Sequence, residues 1–238
     1  MRLGRARVFT CTGRVTFIRR GEPITFLSGP LPADPAAVVF ADKLQPGSGP
    51  EAMTPLDLVK LPRLMEFTAG RPDIRVGLID GPVAVSHSAL AGDNIRDLPG
   101  EARGACSQAS SAACLHGTFV AGILCAKRGS LAPAICPNCT LLVRPVFAEA
   151  KPGDLEQPSA DPRELADAIL ACIDAGARVL NLSLALMQSS APAKFMLLQA
   201  LDHAARRGVI IVAAAGNQGA LSSTIITAHP WVIPGRRL

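Results

Sequence analysis

No apolar run in this chain of 238 residues reaches the eighteen or so that a membrane-crossing helix requires, which excludes a helical span. A secretion signal is missing as well: Met1-Arg2-Leu3-Gly4-Arg5 begins with charge, but no apolar core follows before Arg14. With neither address present, the cytoplasm is the expected compartment. No G-x-G-x-x-G follows the first apolar strand and no Walker pattern occurs, so the usual signatures of a nucleotide-binding α/β domain are absent. A basic face is lacking too. The formal charge is +5, yet residues 53–234 carry fifteen charges of each sign; the excess lies in residues 1–52 and in Gly235-Arg236-Arg237-Leu238. Nucleic acid is therefore not an expected partner. The seven cysteines do not have the spacing of a small disulfide scaffold. Cys136-Pro137-Asn138-Cys139 is a C-x-x-C with no second pair to complete a zinc site, and it precedes a strand instead of opening a helix. The cysteines read as structural, and no metal is expected.

What is present is an alternation of strands and helices. Hydrophobic residues make up 49% of the chain, enough for one domain with a sizeable core. Strands are expected at Ile74 to Ile79, Thr140 to Pro145, Arg178 to Leu184 and Val209 to Ala214. Helices are expected at His116 to Ala126, from Pro162 onward, and at Pro192 to Arg207, the last ended by Gly208. Asp161-Pro162-Arg163-Glu164 is a helix-start signal: Asp as N-cap, Pro at the first position and Glu three after the cap. Strands separated by helices of this length predict βαβ units, hence an α/β doubly wound parallel sheet. Residues 1–52 form a separate stretch. Val15 to Ile18 and Ile24 to Leu27 have the pattern of a hairpin, and Gly29 to Pro50, rich in Pro, Gly and Ala, reads as linker or disorder. Met53 resembles an ordinary protein start.

Three short blocks carry the chemistry. Val76-Gly77-Leu78-Ile79-Asp80-Gly81 ends an apolar strand in an acid. His116-Gly117-Thr118-Phe119-Val120-Ala121-Gly122 places an imidazole at a helix. Ala213-Ala214-Ala215-Gly216-Asn217 ends an apolar strand in a carboxamide. Functional groups in parallel sheets gather at the carboxyl ends of strands, so all three are expected on one rim. Acyl transfer needs a base that works at neutral pH, and imidazole suits it. Among the four histidines, His203 lies in a helix and His229 precedes a proline; His87 is the rival, because it follows the acid block closely. A base must also be held in one tautomer by an anionic acceptor, which Asp80 can supply.

These blocks, in this order, resemble those of the subtilisin-like serine peptidases, over about Met53 to Pro234. Asp80-Gly81-Pro82-Val83, Cys139-Thr140-Leu141-Leu142-Val143-Arg144-Pro145 and His229-Pro230-Trp231-Val232-Ile233-Pro234 resemble the cyanobactin-maturation branch of that family more closely. The resemblance implies a subtilisin-like fold, with Asp80 orienting His116, His116 as general base and Asn217 as oxyanion donor. It implies that Ser183-Leu184-Ala185 pairs with the backbone of a peptide or protein substrate, although Ala185 stands where the family usually has Gly. It calls for no cofactor.

One part of the family pattern is missing. The attacking serine should lie well after the Asn, opening a helix in a Gly-Thr-Ser context. Ser222 and Ser223 follow Asn217 too closely and lack that context. The expectation is thus a partial peptidase domain at 53–234, an unmatched extension at 1–52 and an aberrant tail at 235–238. The nucleophile would be absent or would come from a separately encoded C-terminal segment. A non-catalytic peptide-binding pseudoprotease, or one half of a split protein, is the alternative.

Overall fold

The computed structural model describes residues 16–19, 22–25, 55–100, 105–149, 160–184, 190–214 and 225–235. Two strands, β1 (Thr16–Arg19) and β2 (Glu22–Thr25), form an antiparallel hairpin inside the N-terminal stretch. It is offset by one residue on the first strand and two on the second from the expected positions. After two short helices, α1 (Pro55–Leu58) and α2 (Pro62–Phe67), the chain enters a six-stranded sheet. Its strands are β3 (Arg75–Ile79), β4 (Ile95–Asp97), β5 (Thr140–Val143), β6 (Val179–Leu182), β7 (Ile210–Ala214) and β8 (Val232–Gly235). Three helices cross over between them: α3 (Ala112–Cys125), α4 (Pro162–Asp174) and α5 (Ala191–Arg206).

The spatial order is β4-β5-β3-β6-β7-β8, and every pairing is parallel. From β3 the chain crosses to the sheet edge at β4, comes back to β5 beside β3, and then builds outward on the other side through β6, β7 and β8. The order of strands therefore reverses at β3, and a crevice outside the carboxyl end of such a strand is where α/β sheets place their sites. This is the doubly wound parallel architecture that the alternation implies.

Side chains of a strand point alternately to its two faces, and β3 and β5 use both. Val76, Leu78, Leu141 and Val143 pack with Val120, Ala121 and Cys125 of α3. Ile79 and Leu142 face the other way, into a larger core with Leu180, Leu182, Ile211 and Ala213, closed by Leu165, Ile169 and Ile173 of α4 and Leu197 and Leu201 of α5. Burial on both faces explains why β3 and β5 are continuous apolar runs. Strands β6 and β7 are covered mainly on the α4/α5 face. On the α3 face, Ile210 is 44% exposed and Ile233 53% exposed.

The Asp161 cap holds: its side chain accepts from the Arg163 amide at 2.7 Å, and Pro162 begins α4. Glu164 turns away from the cap and pairs with the buried Arg144 guanidinium at 2.6 Å, joining the first turn of α4 to the end of β5. Gly208, at φ +66°, ends the turn after α5.

Strand β8 closes what would otherwise be the free edge of β7, where Val209 to Ala214 reads as the last strand. Gly235, placed by sequence in the tail, pairs with Ala214; residues 236–238 lie outside the described residues. Two side chains of the His-Pro-Trp segment fasten this edge. The Trp231 indole donates to the Val209 carbonyl at 2.7 Å, and His229 Nε2 lies 3.2 Å from Asp202 Oδ1 on α5. His229 Nδ1 accepts from the Trp231 amide at 3.3 Å, so its proton sits on Nε2, facing Asp202. Pro234 supplies no amide, which an edge strand tolerates.

Candidate active site

Asp80 follows directly on β3, at the carboxyl edge of the sheet, and is fully buried. Its Oδ1 accepts from the Gly81 amide at 2.6 Å and lies 2.7 Å from His116 Nδ1. An ionised carboxylate only accepts, so the shared proton resides on His116 Nδ1, leaving Nε2 with its lone pair as the basic nitrogen. The imidazole is about half exposed, its side chain retaining 52% of its accessible surface, while the carboxylate retains none. Among the described residues Nε2 has no protein partner. A buried anion behind an outward-facing imidazole orients a base and stabilises the imidazolium it becomes.

His116 does not open its helix, contrary to the sequence expectation. The helix begins four residues earlier, at Ala112. Ser111 caps it, its hydroxyl accepting from the Cys114 amide at 3.2 Å, so His116 is in the second turn. What brings it to Asp80 is the absence of two Cβ atoms. A Cβ on Gly81 would fall on the carbonyl of Ala113, and one on Gly117 would fall on the carbonyls of Gly81 and Pro82. The loop leaving β3 therefore touches the α3 backbone, and Asp80 and His116, each one residue before a glycine, meet across that contact. The Thr118 hydroxyl fixes the same loop by accepting from the Ala84 amide at 2.9 Å.

Glu149, six residues past β5, holds the front of α3. It accepts from the amides of Ser107 and Gln108, both at 2.8 Å, and from the hydroxyls of Ser111 and Ser107. Burial works to raise its pKa, but these four donors outweigh that and hold the carboxyl below its usual range. A disulfide between Cys106 and Cys114 closes the loop around the capped end. Glu149 and the two bridged sulfurs form the one cluster among the described residues with metal-ligand proximity. Sulfurs joined to each other offer no thiolate, so the cluster serves the loop and not an ion. Sequence reading missed Glu149 and the bridge, because neither lies in a motif. The glycines following Asp80 and His116 were the visible signal for the close approach.

Ser183 and Leu184 leave β6 on the same edge of the sheet. The Asn181 side chain donates to the Ser183 hydroxyl at 2.6 Å, and Leu184 is buried in the α4/α5 core. Ala185 and Asn217 lie outside the described residues. His87, the rival base, accepts from the Ala89 amide at 3.2 Å within its own turn.

The hydrogen bond that His116 donates to Asp80 raises the pKa of His116; burial opposes the rise and the Asp80 charge adds to it. A base whose pKa is raised in the folded state stabilises the fold fully below its unfolded value, about 6.5, and loses that contribution as pH climbs through the folded value. The basic form of His116 therefore appears at a higher pH than in an ordinary histidine. A proton NMR titration should give the His116 ring a midpoint above 6.5, and Asp80→Asn should abolish the rise. A wild-type midpoint at or below 6.5 would contradict the pairing.

The chain matches the subtilase family over residues 71–233. Among solved structures it is similar to the prenylagaramide maturation protease PagA, with TM-score 0.60 and 28% identity over 73% of this chain and 57% of that one. It is also similar to the protease domain of PatA, with TM-score 0.59 and 28% identity over 69% of this chain and 57% of that one. The PatG macrocyclase in complex with peptide shares the fold, at TM-score 0.57 and 18% identity over 76% of this chain and 62% of that one. Comparison with curated proteins gives no match. The chain thus spans 57% of the length of the PagA and PatA structures.

Proposed function

The chain belongs to the subtilase family, and on that premise we propose that it supplies the acid–base half of a serine endopeptidase that processes precursor peptides. The observation that carries the reading is the Asp80–His116 pair, 2.7 Å apart at the carboxyl end of the strand where the sheet order reverses, with Nε2 turned outward. In this reading His116 Nε2 takes the proton of a serine hydroxyl as its oxygen attacks the scissile carbonyl. The same nitrogen returns that proton to the departing amine, and water then releases the acyl group by the same exchange. Asp80 keeps the proton-bearing face of the ring fixed throughout. Asn217 donates to the developing oxyanion, and Ser183, Leu184 and Ala185 pair with the substrate backbone. The nucleophile belongs to polypeptide beyond these 238 residues, continuous or separately encoded. The substrate is a peptide; nucleic acid is not a partner.

The cytoplasm is the proposed compartment. The Cys106–Cys114 bridge stands against that compartment, because disulfides persist mainly in oxidising surroundings and Cys106 is only partly buried. Among the described residues no helix is long and apolar enough to cross a membrane.

A fluorophosphonate probe, which labels activated serines, tests the reading. The 238-residue chain alone should remain unlabelled. Adding a polypeptide that carries the C-terminal portion of PagA should yield labelling of that segment's serine and cleavage of a precursor peptide. Labelling of Ser222 or Ser223 would overturn the assignment of the nucleophile. Peptide binding with no cleavage in the complemented sample would replace the proposal with a pseudoprotease.

A further inference from the structure

The loop leaving β3 is fastened to α3 in three ways, and one of them is a bond that mild chemistry can break. The first is the close backbone approach at Gly81 and Gly117. The second is the Thr118 hydroxyl, which accepts from the Ala84 amide. The third runs through Cys106. Ala105 pairs with Val83 in an isolated parallel bridge, and the Cys106 amide donates to the Val83 carbonyl at 3.2 Å. The disulfide then carries that attachment to Cys114, in the first turn of α3 and two residues before His116. Bridged sulfurs have no hydrogen, so the Thr118 hydroxyl is the donor in its contacts with Cys106 Sγ at 3.9 Å and Cys114 Sγ at 3.8 Å. Thr118 thereby links the second fastening to the third.

We propose that Cys106 Sγ is a thiol-exchange site, at which a dithiol reductant opens the bridge and loosens the hold of the β3 loop on the helix that carries His116. The two sulfurs differ in access. Cys114 keeps 1% of its accessible surface, whereas Cys106 is partly exposed and lies between the exposed Ala105 and Ser107. Exchange depends on which sulfur a thiolate can reach, and that is Cys106. The opened form keeps its fold, because Glu149 still holds Ser107, Gln108 and Ser111. It loses the covalent link from the Val83 pairing to the first turn of α3. It also gains two S–H groups that can donate to the Thr118 oxygen, the acceptor of the Ala84 amide, so the second fastening weakens with the third. The base is then held firmly in oxidising surroundings and loosely in reducing ones.

The step balances with the dithiol as reductant. One of its thiolates attacks Cys106 Sγ, the S–S bond breaks, and the Cys114 sulfur leaves as thiolate and takes a proton. The second thiol of the reductant gives its proton to solvent and attacks the sulfur joined to Cys106. Cys106 leaves as thiolate and is protonated. One protein disulfide is reduced to two thiols, and the dithiol is oxidised to a disulfide.

The inference rests on His116 as the base, but its first two tests need no nucleophile. Excess reduced glutathione, quenched with acid and followed by peptide mapping without reductant, should trap one glutathione on Cys106. An adduct on Cys114 would overturn the assignment of the attacked sulfur. Dithiothreitol, without denaturant, should open the bridge and leave the circular dichroism unchanged. It should also lower the NMR midpoint of the His116 ring toward about 6.5, and reoxidation should restore it. Cys106→Ser combined with Cys114→Ser should show the lowered midpoint from the start and no response to dithiothreitol. A bridge that opens only after unfolding, or a midpoint indifferent to its opening, would overturn the proposal. In the protein complemented with a serine-bearing segment, opening should lower kcat about tenfold and leave KM nearly unchanged. Absence of cleavage in both redox states would defeat the peptidase reading alone, since the mapping and the titration are independent of it.

Discussion

Asp80→Asn is expected to lower peptide cleavage by about 10⁴-fold in the protein complemented with a serine-bearing segment, while leaving the fold in place. The magnitude follows from the hydrogen bonds. An ionised Asp80 accepts the His116 Nδ1 proton at 2.7 Å and so leaves Nε2 free to act as base. A carboxamide can instead donate to Nδ1, which moves the ring proton to Nε2 and removes the basic lone pair from the face where it is needed. The loss should fall on kcat and leave KM nearly unchanged, because Asp80 is buried beneath the imidazole and out of reach of the substrate. Circular dichroism and steady-state kinetics on the same preparation distinguish this from unfolding. A loss below tenfold would remove Asp80 from the mechanism.

The second large effect is on stability. Glu164→Ala should destabilise the chain by about 3–5 kcal/mol, because it leaves the Arg144 guanidinium buried without its carboxylate. The two side chains keep only 4% and 14% of their accessible surface, so little water can replace the lost partner. Replacing both members, Arg144→Met with Glu164→Leu, should recover most of the loss, since an apolar pair of similar volume needs no desolvation. Urea unfolding of wild type and the two variants measures it. Equal midpoints for wild type and Glu164→Ala would show that the guanidinium finds solvent after all.

The elements that sequence located best are those with local causes. Asp161-Pro162 starts α4 where the cap and the ring require it, and β3, β5, β6 and β7 lie within two residues of their apolar runs. The misses have physical reasons too. Strand β4 is three residues long, with Arg96 and Asp97 exposed, and carries no apolar signal; β8 contains Pro234 and looks like a turn. Ser111 was not recognised as a cap because the residues after it, Ala112 to Leu115, contain neither the Pro nor the acid that marked α4. The pairing of Asp80 with His116 was legible from their block order. The means of pairing was legible only afterwards, since Gly81 and Gly117 matter through a contact across 36 positions. Glu149 acts on a helix end 38 positions earlier, a distance at which no local pattern operates. Asn217 and Ala185 lie outside the described residues.

The uneven covering of the sheet sets an order of opening in time. Strands β3 and β5 are sandwiched between helices, whereas β7 and β8 present Ile210 and Ile233 to solvent on one face. Backbone amides in the sandwiched strands exchange through rare, near-global openings, and those at the half-covered edge through frequent local ones. Asp80 sits at the end of a strand covered on both faces and His116 on the helix packed against it. The acid–base pair is thus the persistent part of the molecule. Hydrogen exchange should be fastest at the edge nearest β8, so whatever completes the site is expected to meet a base already aimed beside a more readily opened margin.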